Sequence, residues 1–168
     1  MTEGKTTKKH KSKEIKATLA IITLSDTRTI SNDESGKIIK EISESFGNKV
    51  VEHIVLPDEK DILQEEVMRL VSKVNVIITN GGTGIAKRDI TTGTIEQLFQ
   101  KKLEAFGPLF AKLSYDDIGS AAILSRATAG MINDTVIFCI PGSPKAVKLA
   151  MEKLILPEIG HILKHLGD

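Results

Sequence analysis

The chain reads as an α/β protein of three layers, αβα, with helices on both faces of a mainly parallel sheet. Two observations carry this. Short runs that are apolar throughout alternate with segments whose apolar residues recur at helical spacing, the pattern of strands buried on both faces. The loops richest in Gly, Ser, Thr and Asp all follow the apolar runs, at the end of an open α/β sheet where ligands are held. At 168 residues there is room for one sizeable core and not for two ordinary domains. The expected division is a basic tail over 1–16 and one domain over 17–168.

The elements follow in order. Residues 17–24 (ATLAIITL) form the first strand candidate. A helix is expected over 33–46, with Ile38, Ile39, Ile42 and Phe46 on one face and Gly47-Asn48 as its stop. Residues 50–56 read as the second strand, ended by Pro57. Asp58 or Asp61 is placed to cap the next helix, whose inner face is Ile62, Val67, Leu70 and Val71. The third strand, 74–79, runs directly into Asn80-Gly81-Gly82-Thr83-Gly84. A helix starts near Thr91 or Thr92, and another near Pro108, which suits a first turn. Residues 120–133 read as a short helix to Arg126 and then an extended segment to Ile132. The last strand is 135–140, and the last helix runs from Lys145 toward Leu166 with a break at Pro157.

Composition excludes several classes. The hydrophobic fraction is 40% and the charged fraction 27%, ordinary for a soluble globular protein. No apolar run approaches the length of a membrane span, and no apolar stretch stands behind the first lysines as in a secretory leader. A single cysteine, Cys139, allows no internal disulfide and no multi-cysteine metal site. A cytoplasmic protein is expected. The net charge is +1, but six lysines and two acids stand in residues 1–16, so the body is mildly acidic. The tail reads as a solvated leader. The body lacks the basic stripe with interleaved aromatics that nucleic-acid binding requires.

Four loops therefore carry the chemistry: 25–32, 57–61, 80–92 and 141–145. In the third, Gly81, Gly82 and Gly84 let backbone N–H groups turn inward and let an anion approach without a Cβ in the way. The loop is neither a phosphate-binding P-loop nor a dinucleotide fingerprint, since no Lys-Ser or Lys-Thr and no third spaced glycine follows. Its alternative is a plain glycine turn. Lys87, Arg88 and Asp89 beside it, with Thr91, pair cations with an acid, a combination suited to holding phosphate and Mg²⁺ together. Asp26, Asp58 and Asp89 end three different strands and converge on one crevice if the sheet is as described. Each alone is equally open to a capping role. Ser25 opens the first of these loops. Pro141, Gly142, Ser143 and Lys145 either present amides, a hydroxyl and a cation to a ligand or form a rigid corner; Ser125 and Arg126 either bind phosphate or solvate a helix end. His161 and His165 stand at a metal-compatible spacing without a third ligand and read as a solvated helix face. Cys139, inside an apolar strand, reads as a buried small side chain. No serine or cysteine has the surroundings of a hydrolytic nucleophile.

Leu-Ser-Asp-Thr-Arg, Asn-Gly-Gly-Thr-Gly followed by Arg-Asp-Ile-Thr, Ile-Leu-Ser-Arg-Ala-Thr-Ala-Gly and Pro-Gly-Ser-Pro-Lys-Ala occur in that order along the chain. In this the sequence resembles the MoaB/MogA family of molybdenum-cofactor biosynthesis over about residues 17–165, with 106–130 nearest the MoaB branch. The resemblance implies a molybdopterin-binding fold assembled as trimers or as hexamers of two trimers. It implies ATP and molybdopterin as substrates, Mg²⁺ as cofactor, and adenylylation of molybdopterin with release of pyrophosphate. Asp58 and Asp89 match the family's two important acids, with Asp89 nearer the chemistry; Gly81, Gly82, Thr83 and Gly84 match its ligand loop, and Ser125 and 141–145 further binding segments. The alternative within the family is a non-catalytic carrier or assembly protein of the same pathway. Self-association is also suggested by an apolar helix face, Phe106, Phe110 and Leu113, with no evident cover inside the subunit.

Overall fold

The computed structural model describes residues 15–168. Residues 1–14, and with them most of the expected tail, lie outside the described residues. In chain order the elements are β1 (Thr18–Leu24), α1 (Glu34–Ser45), β2 (Lys49–Leu56), α2 (Lys60–Val71), β3 (Val76–Asn80), α3 (Thr91–Glu96), β4 (Lys101–Lys102), α4 (Phe106–Ile118), β5 (Thr128–Ile132), β6 (Thr135–Ile140), α5 (Pro144–Ala150) and α6 (Leu156–Leu166). They build the expected three layers around one six-stranded sheet in the order β2-β1-β3-β6-β5-β4.

The strands β2, β1, β3 and β6 run parallel. Alternate residues of each face opposite layers. Leu19, Ile21, Ile78 and Phe138 pack with Ile39 of α1, Phe110 of α4 and Val147 of α5. Ala20, Ile22, Ile77 and Ile137 pack with Leu63, Val67 and Leu70 of α2 and Ile95 of α3. A side chain of this size taken fully out of water contributes about 1.5–3 kcal/mol, so burial on both faces fixes these strands at the centre. Successive helices after β1 and β3 lie on opposite faces, which opens a crevice between those strand ends.

Three features differ from the sequence reading. First, β5 and β6 form an antiparallel hairpin turned at Asn133, which adopts φ +52°, and β4 adds antiparallel to β5. Asparagine tolerates this left-handed conformation. Both hairpin strands are apolar enough to pass for parallel ones. Second, Pro157 does not break the last helix. A wide π turn over Met151–Ile155 lets Leu156 donate to the Met151 carbonyl and brings the proline to the first turn of α6, where its missing N–H costs little. Third, two of the three residues on the expected α4 face are covered inside the subunit, Phe110 buried in the core and Phe106 packed on Phe138 with ring centroids 5.2 Å apart, while Leu113 is half-buried and lines a surface groove. Along α4 and the turn after it, the exposed large apolar side chains are Leu109, Tyr115, Ile118, Ile123 and Leu124. Among the described residues no helix is long and apolar enough to cross a membrane.

Candidate active site

The three acids at strand ends are free of the helix starts. The cap of α1 is Asp33, whose Oδ1 accepts from the Gly36 N–H. Before α2 stands Glu59 and before α3 stands Ile90, neither with a side-chain capping bond. Asp26 Oδ1 instead accepts the Asp58 N–H at 2.9 Å, which ties the loop after β1 to the loop after β2. Asp89 Oδ2 accepts the Ala86 N–H at 2.8 Å, which folds the loop after β3 back on itself. Capping, the ordinary reason for an acid at such positions, therefore explains none of the three.

They meet across one hollow of about 250 Å³, lined by Asp26, Arg28, Asp58, Arg88, Asp89 and the Gly81-Gly82 turn. Partial burial pushes the Asp58 carboxyl above the usual aspartate range, and repulsion from Asp26 and Asp89 adds to it, with Arg88 opposing. The turn itself requires glycine. Gly81 and Gly82 adopt φ +94° and +70°, and a Cβ on them would stand 2.5 Å from the Leu24 carbonyl oxygen and 2.2 Å from Thr91 Oγ1. Thr91 closes the turn, donating its hydroxyl to the Gly81 carbonyl and its N–H to that of Gly82.

A second hollow of about 310 Å³ adjoins the first and shares Gly82, Asp89 and Gly142 with it. One wall is apolar, from Phe110, Ile118, Ala122 and Leu124; the other carries Thr83, Ser125, Pro141 and Ser143. Ser125 Oγ is buried here with no hydrogen-bond partner among the described residues, a polar atom left for a bound molecule to satisfy. Thr92 steadies this wall by donating to the Arg126 carbonyl, and Arg126 N–H donates to that of Thr83. Ser143 also caps α5, accepting from the Ala146 N–H.

Asp26, Asp58, Gly81, Gly82, Thr83, Gly84, Arg88, Asp89, Ser125, Pro141, Gly142 and Ser143 thus line these two hollows, and Ser25 lines the first. Lys145 does not. Its ammonium pairs with Asp117 at 3.2 Å on a neighbouring surface groove. Arg28 is not among the site residues read from the sequence, though it stands in a recognised motif; Thr91 is, beside Lys87, Arg88 and Asp89, while Thr92 is read only as a helix start and is found buried with it. His161 and His165 are in mutual contact on the exposed face of α6, Nε2 to Nε2 3.0 Å. His161 lines a separate hollow of about 360 Å³ that reaches Lys16 and Phe46 and shares no residue with the two hollows at the strand ends. Burial pushes the Cys139 thiol up to about 12, far from nucleophilic range.

Among the described residues no three His, Cys, Asp or Glu side chains form a cluster able to hold a metal ion by themselves. Mg²⁺ needs less: one or two carboxylates, with phosphate and water completing its shell. Asp58 and Asp89, facing one hollow beside the Gly81-Gly82 turn, fit that donor set.

Residues 20–161 match the family model described as "Probable molybdopterin binding domain". The chain is 48% identical over 149 residues to molybdenum cofactor biosynthesis protein B of Bacillus subtilis, covering 87% of this chain and 88% of that one. A crystal structure of a molybdenum cofactor biosynthesis protein B superimposes with TM-score 0.90 at 45% identity, covering 93% of this chain and 99% of the other. The tungsten cofactor synthesizing protein MoaB of Pyrococcus furiosus gives 0.83 at 38%, over 91% and 98%.

Proposed function

The chain belongs to the MoaB/MogA family, and from that membership we propose that it acts in molybdenum cofactor biosynthesis as a Mg-ATP-dependent molybdopterin adenylyltransferase. In this reading an oxygen of molybdopterin's terminal phosphate bonds to the α-phosphorus of ATP. The bond from that phosphorus to the bridging oxygen breaks, and pyrophosphate leaves with the electron pair.

The observation that carries the reading is the pair of adjoining hollows, one charged and one partly apolar, with Asp89 in their common wall. Two substrates need two compartments that meet at the reacting atoms, and Asp89 stands at that meeting. The incoming group is already an anion, so no general base is required, and a buried cysteine or a triad has no task here. The barrier is repulsion between two polyanions and charge growing on pyrophosphate. Arg28 and Arg88 offset that charge, and the turn at Gly81-Gly82 supplies amides without bulk. Asp58 and Asp89 are the carboxylates that would hold Mg²⁺, and the ion would supply charge to offset that of the phosphates.

The test is direct. Purified protein with molybdopterin and Mg-ATP is expected to yield adenylyl-molybdopterin and one pyrophosphate per turnover. Binding of molybdopterin with no pyrophosphate released would assign the chain to the carrier role instead. The trimeric or hexameric assembly that the resemblance implies belongs to the same proposal. We assign it to Ile118, Ile123 and Leu124, which are 52%, 86% and 51% exposed, the first and last of them also lining the apolar hollow.

A further inference from the structure

Asp33 is fully buried, and it lines neither hollow. Its carboxylate is nonetheless held from several sides. Oδ2 accepts from the Thr23 hydroxyl at 2.5 Å and faces His53 Nε2 at 2.7 Å; Oδ1 accepts from the Gly36 N–H at 3.0 Å. Thr23 is itself fixed, because its hydroxyl oxygen accepts from Asn80 Nδ2 at 2.8 Å. A carboxylate only accepts, so the direction of this relay from Asn80 through Thr23 to Asp33 is determined. The orientation leaves Asn80 Oδ1 buried without a partner among the described residues, a cost the fold retains. Strands β1, β2 and β3 and the first turn of α1 thus converge on a single buried anion.

What remains open on Oδ1 faces Arg28, whose Nη1 stands 3.8 Å away. The same Nη1 donates to the Gly142 carbonyl at 3.4 Å, and that carbonyl also accepts from Ser35 Oγ at 2.6 Å. Two arginines line this hollow, Arg28 and Arg88, and Arg28 has the buried Asp33 carboxylate at its back. An arginine left to itself on a loop samples many rotamers; one with a fixed counter-charge at its back presents its remaining donors in one direction.

We propose that Asp33 is a positioning residue for phosphate recognition: a pre-fixed buried anion that aims the Arg28 guanidinium into the charged hollow. This rests on reading that hollow as the nucleotide-phosphate site. Asp33 touches no substrate and acts through Arg28, so its effect on substrate handling vanishes when Arg28 is absent.

A double-mutant cycle on the full-length protein tests this, with Asp33→Asn, Arg28→Ala and the double variant assayed for pyrophosphate release across Mg-ATP concentrations. Asp33→Asn is expected to lower kcat/KM for Mg-ATP about tenfold or more, the scale of a misplaced charged contact. In the Arg28→Ala background the same change is expected to cost less than about twofold. An equal loss in both backgrounds, or a lowered thermal midpoint with unchanged kcat/KM, overturns the proposal and leaves Asp33 a structural residue. Should Asp33→Asn fail to fold, His53→Leu, which strips one donor from the carboxylate, takes its place in the cycle, with an expected coupling to Arg28 of about threefold. If the wild-type protein releases no pyrophosphate, adenylyl transfer is lost as a reading. The cycle read on Mg-ATP affinity by calorimetry then decides the positioning role alone, and additive losses of affinity overturn it.

Discussion

Gly84 lies directly against Asp89. A Cβ at residue 84 would stand 2.7 Å from Asp89 Oδ2, closer than two such atoms can approach. The backbone there has no positive φ, so the glycine is required by its neighbour and not by its own conformation. Gly84→Ala is therefore expected to push the carboxylate out of place while leaving the fold intact. Turnover should fall about tenfold or more, with a stability change under about 1 kcal/mol. Steady-state kinetics beside a thermal melt separates the two; a large stability loss with normal turnover contradicts the assignment of Asp89.

Asp89→Asn removes the charge from the wall shared by the two hollows and keeps the side chain's shape. Adenylyl transfer is expected to fall by about a hundredfold or more, with molybdopterin affinity changed by less than about threefold because the apolar wall of Phe110, Ile118, Ala122 and Leu124 is untouched. Undiminished pyrophosphate release would remove Asp89 from the chemistry.

The raised Asp58 carboxyl makes a pH prediction. Mg²⁺ is held by the ionised form, so affinity for Mg-ATP should decline on acidification at a higher pH than an ordinary aspartate, near 4, allows. Asp26→Asn removes one of the repelling charges, which lowers the Asp58 pKa and moves that decline to lower pH. Calorimetric titrations between pH 4 and 7 on both proteins check the direction, and a shift the other way refutes the cause given.

Much of this was legible in the residues because the informative signals were local. A short apolar run such as 74–79 bounded by a glycine pair reads as a buried strand and its turn, and the structure has β3 at Val76–Asn80 with Gly81 and Gly82 turning after it. What stayed hidden was information spread over distant positions. The antiparallel hairpin depends on Asn133 adopting a left-handed conformation, which nothing in 128–140 demands. The direction of Lys145 depends on Asp117, on a different helix. Arg28 acquires its meaning only when Asp33 and the Gly142 carbonyl come up behind it. The capping alternative for Asp26, Asp58 and Asp89 was undecidable from spacing, since any acid at a helix start fits it; the hydrogen bonds they make instead decide it.

Ile123 is the most exposed of the large apolar side chains, at 86%, beside Ile118 and Leu124. If a second copy of the chain covers this strip, Ile123→Asp introduces a charge that association must desolvate, and the assembly is expected to shift to monomers. Sedimentation velocity at micromolar concentration reads this, with the circular dichroism melt confirming an intact fold. An unchanged assembly moves the interface elsewhere.

Asp33 makes a prediction about acid stability that is independent of any ligand. Burial alone would raise its pKa, but the hydrogen bonds from His53, Thr23 and the Gly36 N–H outweigh it and hold the carboxyl below the usual range. In the folded state the group stays ionised at a pH where the unfolded chain has already bound a proton. Its contribution is therefore present in full above the unfolded value, near pH 4, and is lost as pH falls from there through the folded value. In that window one proton separates the two states, so the wild-type unfolding free energy should fall by up to about 1.4 kcal/mol per pH unit on this account. Asp33→Asn cannot bind that proton. Its stability is expected to be lower at neutral pH, where the ionic hydrogen bonds are missing, and less steep below pH 4, so that the two urea-unfolding curves approach each other on acidification. Parallel stability profiles from pH 6 to 2.5 would mean that the carboxylate titrates alike in both states, and the buried anion behind Arg28 would lose its thermodynamic basis.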